Sequence, residues 1–315
     1  MIVGFYEPGT NLQDPFYLAW QAALRLAAPE IELRCAADLG DPAEIEAAMV
    51  WKPAAGWLAA LPNLKLILSL GAGVDHVLAD PQLPRSVPLL RLIDPAMTRA
   101  MVEYMVFQTL RLHLKEPAYR RQQATSEWRQ LTPPPPARDR RVGILGLGEL
   151  GGATAEALIG LGFDVAGWSR SPKRLAGVET FAGAAGLPAF LARSEILLCL
   201  LPLTPDTAGI LSRSLFEQLP KGAGLINAGR GKQLVEADLL AALESEQIAE
   251  AVLDVFAQEP LPAGHPFWTH PHIVVTPHVA AATNPVTAVV PVAANLRRLA
   301  AGDAFADRVD LSAGY

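Results

Sequence analysis

The segment Arg141 to Gly151 reads RVGILGLGELG, an apolar run that ends directly on Gly146, Gly148 and Gly151 in a G-x-G-x-x-G spacing. Each glycine has a mechanical reason. Gly146 makes a tight turn, Gly148 lets the backbone come close to a pyrophosphate, and Gly151 lets a helix starting near Glu149 pack on the strand with its N-terminus facing the phosphates. The surroundings are those the motif requires: an Ala-rich helix follows (Ala153 to Leu161), then a second strand, Asp164 to Trp168. Gly146, Gly148, Glu149, Leu150 and Gly151 are therefore the expected pyrophosphate-binding set of a dinucleotide site.

The end of that second strand carries the next constraint. A site specific for NAD places Asp or Glu about 20 residues past the first glycine, to bind the ribose 2′-hydroxyl. This chain instead has Trp168-Ser169-Arg170-Ser171, followed by Lys173 and Arg174. No carboxylate is there to repel a 2′-phosphate, Arg170 can grip one through a charge-assisted fork, and Ser169 or Ser171 can donate to it. NADP(H) is expected as the preferred cofactor, with NAD(H) possible; a solvated basic loop is the alternative reading.

The chain has 315 residues, 51% hydrophobic and 18% charged, enough for two domains with substantial cores. Its start, MIVGFYEPG, has no basic n-region or apolar h-region, and apolar stretches such as Leu64 to Leu70 are too short to span a bilayer. A cytoplasmic protein without membrane contact is expected. Cys35 and Cys199 are the only cysteines and sit in apolar, strand-like runs; they read as core thiols rather than as a disulfide framework. A net charge of -6 without a basic stripe argues against nucleic acid.

Short strands alternate with helical segments through the first ninety residues: Ile2 to Tyr6, a helix from about Pro15 to Ala27, Ile31 to Cys35, a further helical segment Ala43 to Ala48, then strands at Met49 to Trp51, Lys65 to Leu70 and Leu89 to Leu92. Such alternation predicts a parallel α/β sheet, and the missing glycine fingerprint makes it a separate domain. A long apolar-periodic segment, about Ala96 to Tyr119, leads into Gln122 to Asp139, whose Pro133 to Pro136 run reads as a connection rather than a partner's polyproline ligand. The β-α-β rhythm then resumes with strands at Glu195 to Leu201, Gly224 to Asn227, Ala249 to Leu253 and Ile273 to Thr276. A final helix, Pro285 to Ala301, is able to cross back to the first domain. The expected fold is α/β, with two Rossmann-like or flavodoxin-like parallel-sheet domains and a cleft between them. Residues 1–98 with 285–315 are expected to form the substrate domain and 99–284 the cofactor domain.

Three successive strand ends in the second half carry groups suited to acid, base and anion chemistry: Arg230 in Asn227-Ala228-Gly229-Arg230-Gly231, Asp254 and Glu259 in the stretch from Asp254 to Pro260, and His278 after Thr276-Pro277. Ligands of open α/β sheets bind at such ends. His270-x-His272 nearby lacks a carboxylate or thiol to complete a ligand set, so no metal is expected. In the first domain, consecutive N–H groups of Leu70-Gly71-Ala72-Gly73 can cradle a carboxylate. Trp51, ending a strand, is either a wall that limits substrate size or core packing.

The glycine fingerprint, the Asn227 to Gly231 block, Leu253-Asp254-Val255-Phe256 with Glu259-Pro260-Leu261-Pro262, and Thr276-Pro277-His278-Val279-Ala280 resemble the D-isomer-specific 2-hydroxyacid dehydrogenases over nearly the whole chain. Leu70 to Asp75, Trp168 to Arg170 and the terminal Gly314-Tyr315 are most similar to the glyoxylate/hydroxypyruvate reductase A subgroup. The resemblance implies NADPH-dependent reduction of small 2-oxo acids to 2-hydroxy acids. It implies that His278 is the general acid, Glu259 holds the second ring nitrogen, Arg230 binds the substrate carboxylate and polarises the carbonyl, and Asp254 orients the nicotinamide carboxamide. Leu201, Pro202, Asn227, Ala228, Gly229 and Ala280 would complete the cofactor site, and Trp51 with Leu70 to Gly73 the substrate site. A homodimer joined through the cofactor domain is implied too. An NAD-linked dehydrogenase for lactate-like or bulkier acids and a non-catalytic dinucleotide sensor are the competing readings; a sensor has no need of a proton donor.

Overall fold

The computed structural model describes residues 1–305, 307–311 and 313–314, so Tyr315 of the terminal pair lies outside the described residues. The chain divides into two compact units, Met1–Met97 with Thr283–Tyr315, and Thr98–Ala282.

Unit 1 holds a five-stranded parallel sheet of β1 (Ile2–Tyr6), β2 (Glu32–Cys35), β3 (Ile45–Val50), β4 (Leu66–Ser69) and β5 (Leu89–Leu90), in the order β2-β1-β3-β4-β5. This is the flavodoxin-like order. Its helices are α1 (Pro15–Ala27), the short α2 (Asp75–Leu78) and, from the far end of the chain, α9 (Pro285–Ala301). Asp14 caps α1, its carboxylate accepting from the N–H groups of Phe16 and Tyr17, and Pro15 occupies the first turn, where its missing N–H costs nothing. Tyr17, Trp20, Ala23 and Leu24 then form the buried face. α9 starts on an Asn284 cap, ends on Gly302 in the left-handed region, and packs its Ala288, Val292 and Leu296 side of the helix into unit 1 beside α1.

The expected helix over Ala43 to Ala48 is instead a short 3-10 turn, Pro42–Glu44, followed by β3. Alanine favours helix, but this segment lies between β1 and β4 in mid-sheet, and ladder pairing together with near-complete burial override propensity.

Unit 2 holds a seven-stranded parallel sheet: β6 (Arg141–Leu145), β7 (Asp164–Ser169), β8 (Glu179–Ala182), β9 (Ile196–Cys199), β10 (Ala223–Asn227), β11 (Ile248–Leu253) and β12 (Ile273–Val275), ordered β12-β11-β10-β9-β6-β7-β8. Read from β6, this is the doubly wound dinucleotide-binding order, reversing direction between β6 and β9. The helices are α3 (Pro95–His113, beginning in unit 1), α4 (Glu116–Ala124), α5 (Glu149–Gly160), α6 (Gly183–Arg193), α7 (Arg213–Phe216) and α8 (Glu236–Glu244). Apolar strands with buried residues on both faces feed two cores. Val142, Ile144, Ile196, Leu198, Ile226 and Val252 meet Met101 and Met105 of α3 and Ala155 and Leu158 of α5. Leu145, Leu197, Cys199, Leu225 and Leu253 point the other way, onto Phe190, Phe216 and Leu239 of α6, α7 and α8. A fully buried side chain such as Phe190 contributes about 1.5–3 kcal/mol relative to exposure.

The long periodic segment breaks at Lys115, whose φ is +58°, because Pro117 cannot donate within a continuing helix and instead sits in the first turn of α4. Both cysteines are buried and unpaired, and burial pushes the Cys199 thiol up to about 12. Among the described residues no helix is long and apolar enough to cross a membrane.

Candidate active site

β6 runs into the glycine turn, where Gly146 has a φ of +100° and a methyl group would lie 2.8 Å from the Leu200 carbonyl oxygen. The contact at Gly151 is closer still: a Cβ there would stand 1.8 Å from the Gly146 carbonyl oxygen, so the first turn of α5 rests on the loop backbone to backbone. Gly148, by contrast, faces open space. It is also the N-cap of α5, without a side-chain cap, so the N–H groups of Glu149, Leu150 and Gly151 lack intrahelical partners. That is an anion site of pyrophosphate kind. Lys173 reaches the same loop, its ammonium donating to the Leu147 carbonyl at 2.7 Å, rather than standing only beside the end of β7.

At that strand end the Trp168 indole N–H donates to Gly183 O at 2.9 Å and the buried Ser169 hydroxyl donates to Ser171 O at 2.7 Å. These bonds shape a turn that leaves Arg170, Ser171, Lys173 and Arg174 exposed. The open glycine loop, the uncapped helix and this carboxylate-free basic turn fit a dinucleotide bearing a 2′-phosphate.

The carboxyl ends of β10, β11 and β12 lie side by side. Asn227 is fully buried and accepts the Gly229 N–H on its side-chain oxygen, folding the block that presents Arg230. Arg230 is half-buried, with one guanidinium N–H donating to Gly229 O. Gly231 is glycine because a Cβ would fall 1.8 Å from the Phe256 carbonyl carbon, which brings the Arg230 loop against the loop that follows Asp254. His278 faces Glu259: Nδ1 lies 3.1 Å and 3.0 Å from the two carboxylate oxygens. The imidazole is 35% exposed and its Nε2 has no hydrogen-bond partner among the described residues, so the nitrogen away from Glu259 is the one open to a ligand.

Asp254 is bonded within the fold. It is 1% exposed, and its oxygens turn inward: Oδ1 accepts from the Thr276 hydroxyl (2.6 Å) and the Val279 N–H (3.0 Å), Oδ2 from the Ala280 N–H (3.0 Å). It holds the turn that carries His278. A carboxylate at a strand end satisfies nearby backbone donors first when those donors are otherwise buried and unpaired.

Gln233 carries no motif and was not singled out by sequence. Fully buried, it accepts the Arg230 N–H (2.8 Å) and donates to the carbonyls of Leu201 (2.9 Å) and Pro202 (3.1 Å), tying the Arg230 loop to the segment after β9. Its only sequence signal is a polar residue at the start of an apolar stretch.

In unit 1 the structure brings Trp51 and Gly71 together: a Cβ on Gly71 would lie 2.7 Å from the half-buried indole, which also stacks on His76 at 4.3 Å. The Leu70 N–H donates to Val50 O at 2.9 Å, and the Gly71 N–H donates to the Ser69 hydroxyl at 3.2 Å. The expected carboxylate cradle is thereby reduced to the N–H groups of Ala72 and Gly73, which donate to nothing among the described residues. No group of three or more His, Cys, Asp or Glu side chains among the described residues is placed to hold a metal ion. A concavity of about 1020 Å³ at the amino ends of β9, β10 and β11, lined by Arg121, Arg140, Glu195 and His272 among others, contains none of these site residues.

The family profile of the D-isomer specific 2-hydroxyacid dehydrogenase NAD binding domain matches residues 106–280. The chain belongs to that family. Its relatives include the glyoxylate/hydroxypyruvate reductase A of Serratia proteamaculans (strain 568), 45% identical over 321 residues and covering 100% of both chains, and the reductase A of Yersinia enterocolitica, 44% identical over 96% of this chain and 98% of that one. Among solved family structures, a dehydrogenase from Xanthobacter autotrophicus Py2 in complex with NADPH and MES matches with a TM-score of 0.93 and 45% identity, covering 100% of this chain and 99% of the other. An NADPH-dependent glyoxylate/hydroxypyruvate reductase from Sinorhizobium meliloti, in complex with NADP and sulfate, matches with a TM-score of 0.88 and 42% identity at the same coverage.

Proposed function

We propose that this protein is an NADPH-dependent reductase of small 2-oxo acids, converting glyoxylate to glycolate and hydroxypyruvate to D-glycerate. The observation that carries the reading is the His278–Glu259 pair, with Nδ1 held at 3.0 Å and Nε2 left open, at the ends of β12 and β11, the latter beside the strand end that presents Arg230. The activities named for the Serratia and Sinorhizobium relatives support it.

Unit 2 binds the cofactor and unit 1 the substrate. When bound, the nicotinamide supplies a hydride to the carbonyl carbon of the 2-oxo acid. Arg230 binds the substrate carboxylate and polarises the carbonyl, stabilising charge that grows on its oxygen. Glu259 accepts from Nδ1–H of His278 and holds the ring, whose Nε2–H protonates the nascent alkoxide. The imidazole then takes a proton back from solvent, so one substrate consumes one hydride and one proton. Within unit 1, the N–H groups of Ala72 and Gly73 suit an anionic ligand, and Trp51 is an apolar wall against Gly71. A panel of 2-oxo acids assayed with NADPH and NADH tests the reading: glyoxylate and hydroxypyruvate should turn over fastest, and preference for a bulky 2-oxo acid with NADH would sink it.

NADPH preference should rest on Arg170. An Arg–phosphate fork contributes about 1.5–3 kcal/mol, so Arg170→Ala should raise KM for NADPH about ten- to a hundredfold and leave NADH little changed. Equal losses with both cofactors would remove Arg170 from the 2′-phosphate site.

The working form is a homodimer joined through unit 2, in the cytoplasm. Phe107 on α3 (57% exposed), Leu114 between α3 and α4, and Trp128 after α4 (98% exposed) are exposed apolar side chains of unit 2 that such a contact would cover. Light scattering should give twice the chain mass, and Trp128→Ser with Phe107→Ser should shift the protein toward the monomer; a monomer before substitution would overturn this.

A further inference from the structure

Behind His278 lies a hydrogen-bond series that the sequence motifs do not contain. Tyr104, on the α3 face that packs into the unit 2 core, puts its hydroxyl 2.7 Å from Thr276 Oγ1, and that hydroxyl lies 2.6 Å from Asp254 Oδ1. Either oxygen can be the donor in the first contact as geometry goes; chemistry decides it. Asp254 already accepts from two backbone N–H groups, and Thr276 Oγ1 donates to its Oδ1. Thr276 therefore gives its single hydrogen to Asp254 and must accept from Tyr104. The series runs one way, from phenol to hydroxyl to carboxylate. Burial, reinforced by the charge of Asp254, pushes the Tyr104 phenol up to about 12, so it keeps its proton wherever the enzyme works.

What the series holds is the His278 turn. The Asp254 side chain takes Thr276, Val279 and Ala280, and its main-chain oxygen takes the His278 N–H at 2.8 Å. Inside that ring of bonds His278 sits at a φ of +55°, in the left-handed region that a side-chain-bearing residue keeps only when its surroundings over-determine it. We propose that Tyr104 and Thr276 are positioning residues for proton transfer: they fix the Asp254 carboxylate, Asp254 fixes the turn, and the turn aims the His278 imidazole. The proposal rests on the reading of His278 as the proton donor.

Losing one charge-assisted hydrogen bond from the series should slow the step it aligns about tenfold. Thr276→Val should therefore lower kcat for glyoxylate with NADPH about tenfold while KM for NADPH stays within about twofold, and Thr276→Ser should restore kcat to within about twofold. Tyr104→Phe should cost about threefold alone and nothing further on top of Thr276→Val, because the series is already cut. The imidazole is read directly as well: in protein without cofactor, the His278 Cε1–H resonance, identified by its loss in His278→Ala, should move in Thr276→Val and return in Thr276→Ser. Unchanged kcat and an unmoved resonance in Thr276→Val, failure of serine to rescue a folded protein, or losses that multiply in the double variant would each overturn the proposal. If Thr276→Val does not fold, Tyr104→Phe decides, and an unmodified kcat with an unmoved resonance overturns it. Failure of the reductase reading looks different: the unmodified protein would oxidise no NADPH with either acid, whatever the resonance does.

Discussion

His278→Ala is expected to lower kcat for glyoxylate reduction at least about a hundredfold, and Arg230→Ala to do likewise, while NADPH still binds. The reason lies in what each group touches. His278 leaves Nε2 open beyond its contact with Glu259, and Arg230 stands on the next-but-one strand end, so in the proposed reaction both would act on charge that develops at the carbonyl oxygen rather than on the dinucleotide, whose loop follows β6. Arg230→Lys should recover little, since an ammonium is a point charge and cannot grip a carboxylate with two parallel N–H donors. Steady-state kinetics alongside cofactor titration by fluorescence checks all three. Near-normal turnover in either alanine variant would remove that residue from the chemistry, and a parallel loss of NADPH affinity would show that the substitution had reached the cofactor loop.

The second large effect is expected at Gly151. A methyl group there would sit 1.8 Å from the Gly146 carbonyl oxygen, well inside contact distance and against backbone that has no rotamer to adopt. Gly151→Ala must lift α5 off the glycine turn, which costs about 1–3 kcal/mol of packing and moves the helix N–H groups away from the pyrophosphate. NADPH affinity should fall about ten- to a hundredfold, with a lower thermal midpoint in the unliganded protein. Gly152→Ala, one residue on, is the control: its Cβ would meet only Leu175, at 4.0 Å, and both readouts should stay near those of the unmodified protein. Equal behaviour of the two variants would show that the close approach at Gly151 does not set the site.

Much of the machinery was legible because it is local. The glycine turn, the basic end of β7 and the strand-end positions of Arg230, Asp254 and His278 are each fixed by a few consecutive residues whose backbone demands show in their identities. The Ala43 to Ala48 segment was misread for the opposite reason. Its alanines favour a helix, and the pairing of β1 and β4 on either side overrides that local preference.

The sequence by itself determined that there would be two parallel α/β sheets, where the dinucleotide turn lies, and which strand ends carry His278, Glu259 and Arg230. These follow from apolar periodicity and from residues that chemistry cannot replace. Only the tertiary structure decided the rest: that α9 packs beside α1 in unit 1, that Gln233 ties the Arg230 loop to Leu201 and Pro202, that Asp254 spends its oxygens on the His278 turn, and that Tyr104 stands behind it through Thr276. Tyr104 and Thr276 are 172 positions apart. A hydrogen bond over such a separation leaves no periodic trace, because its geometry is set by how α3 packs on the sheet and not by any residue near either partner.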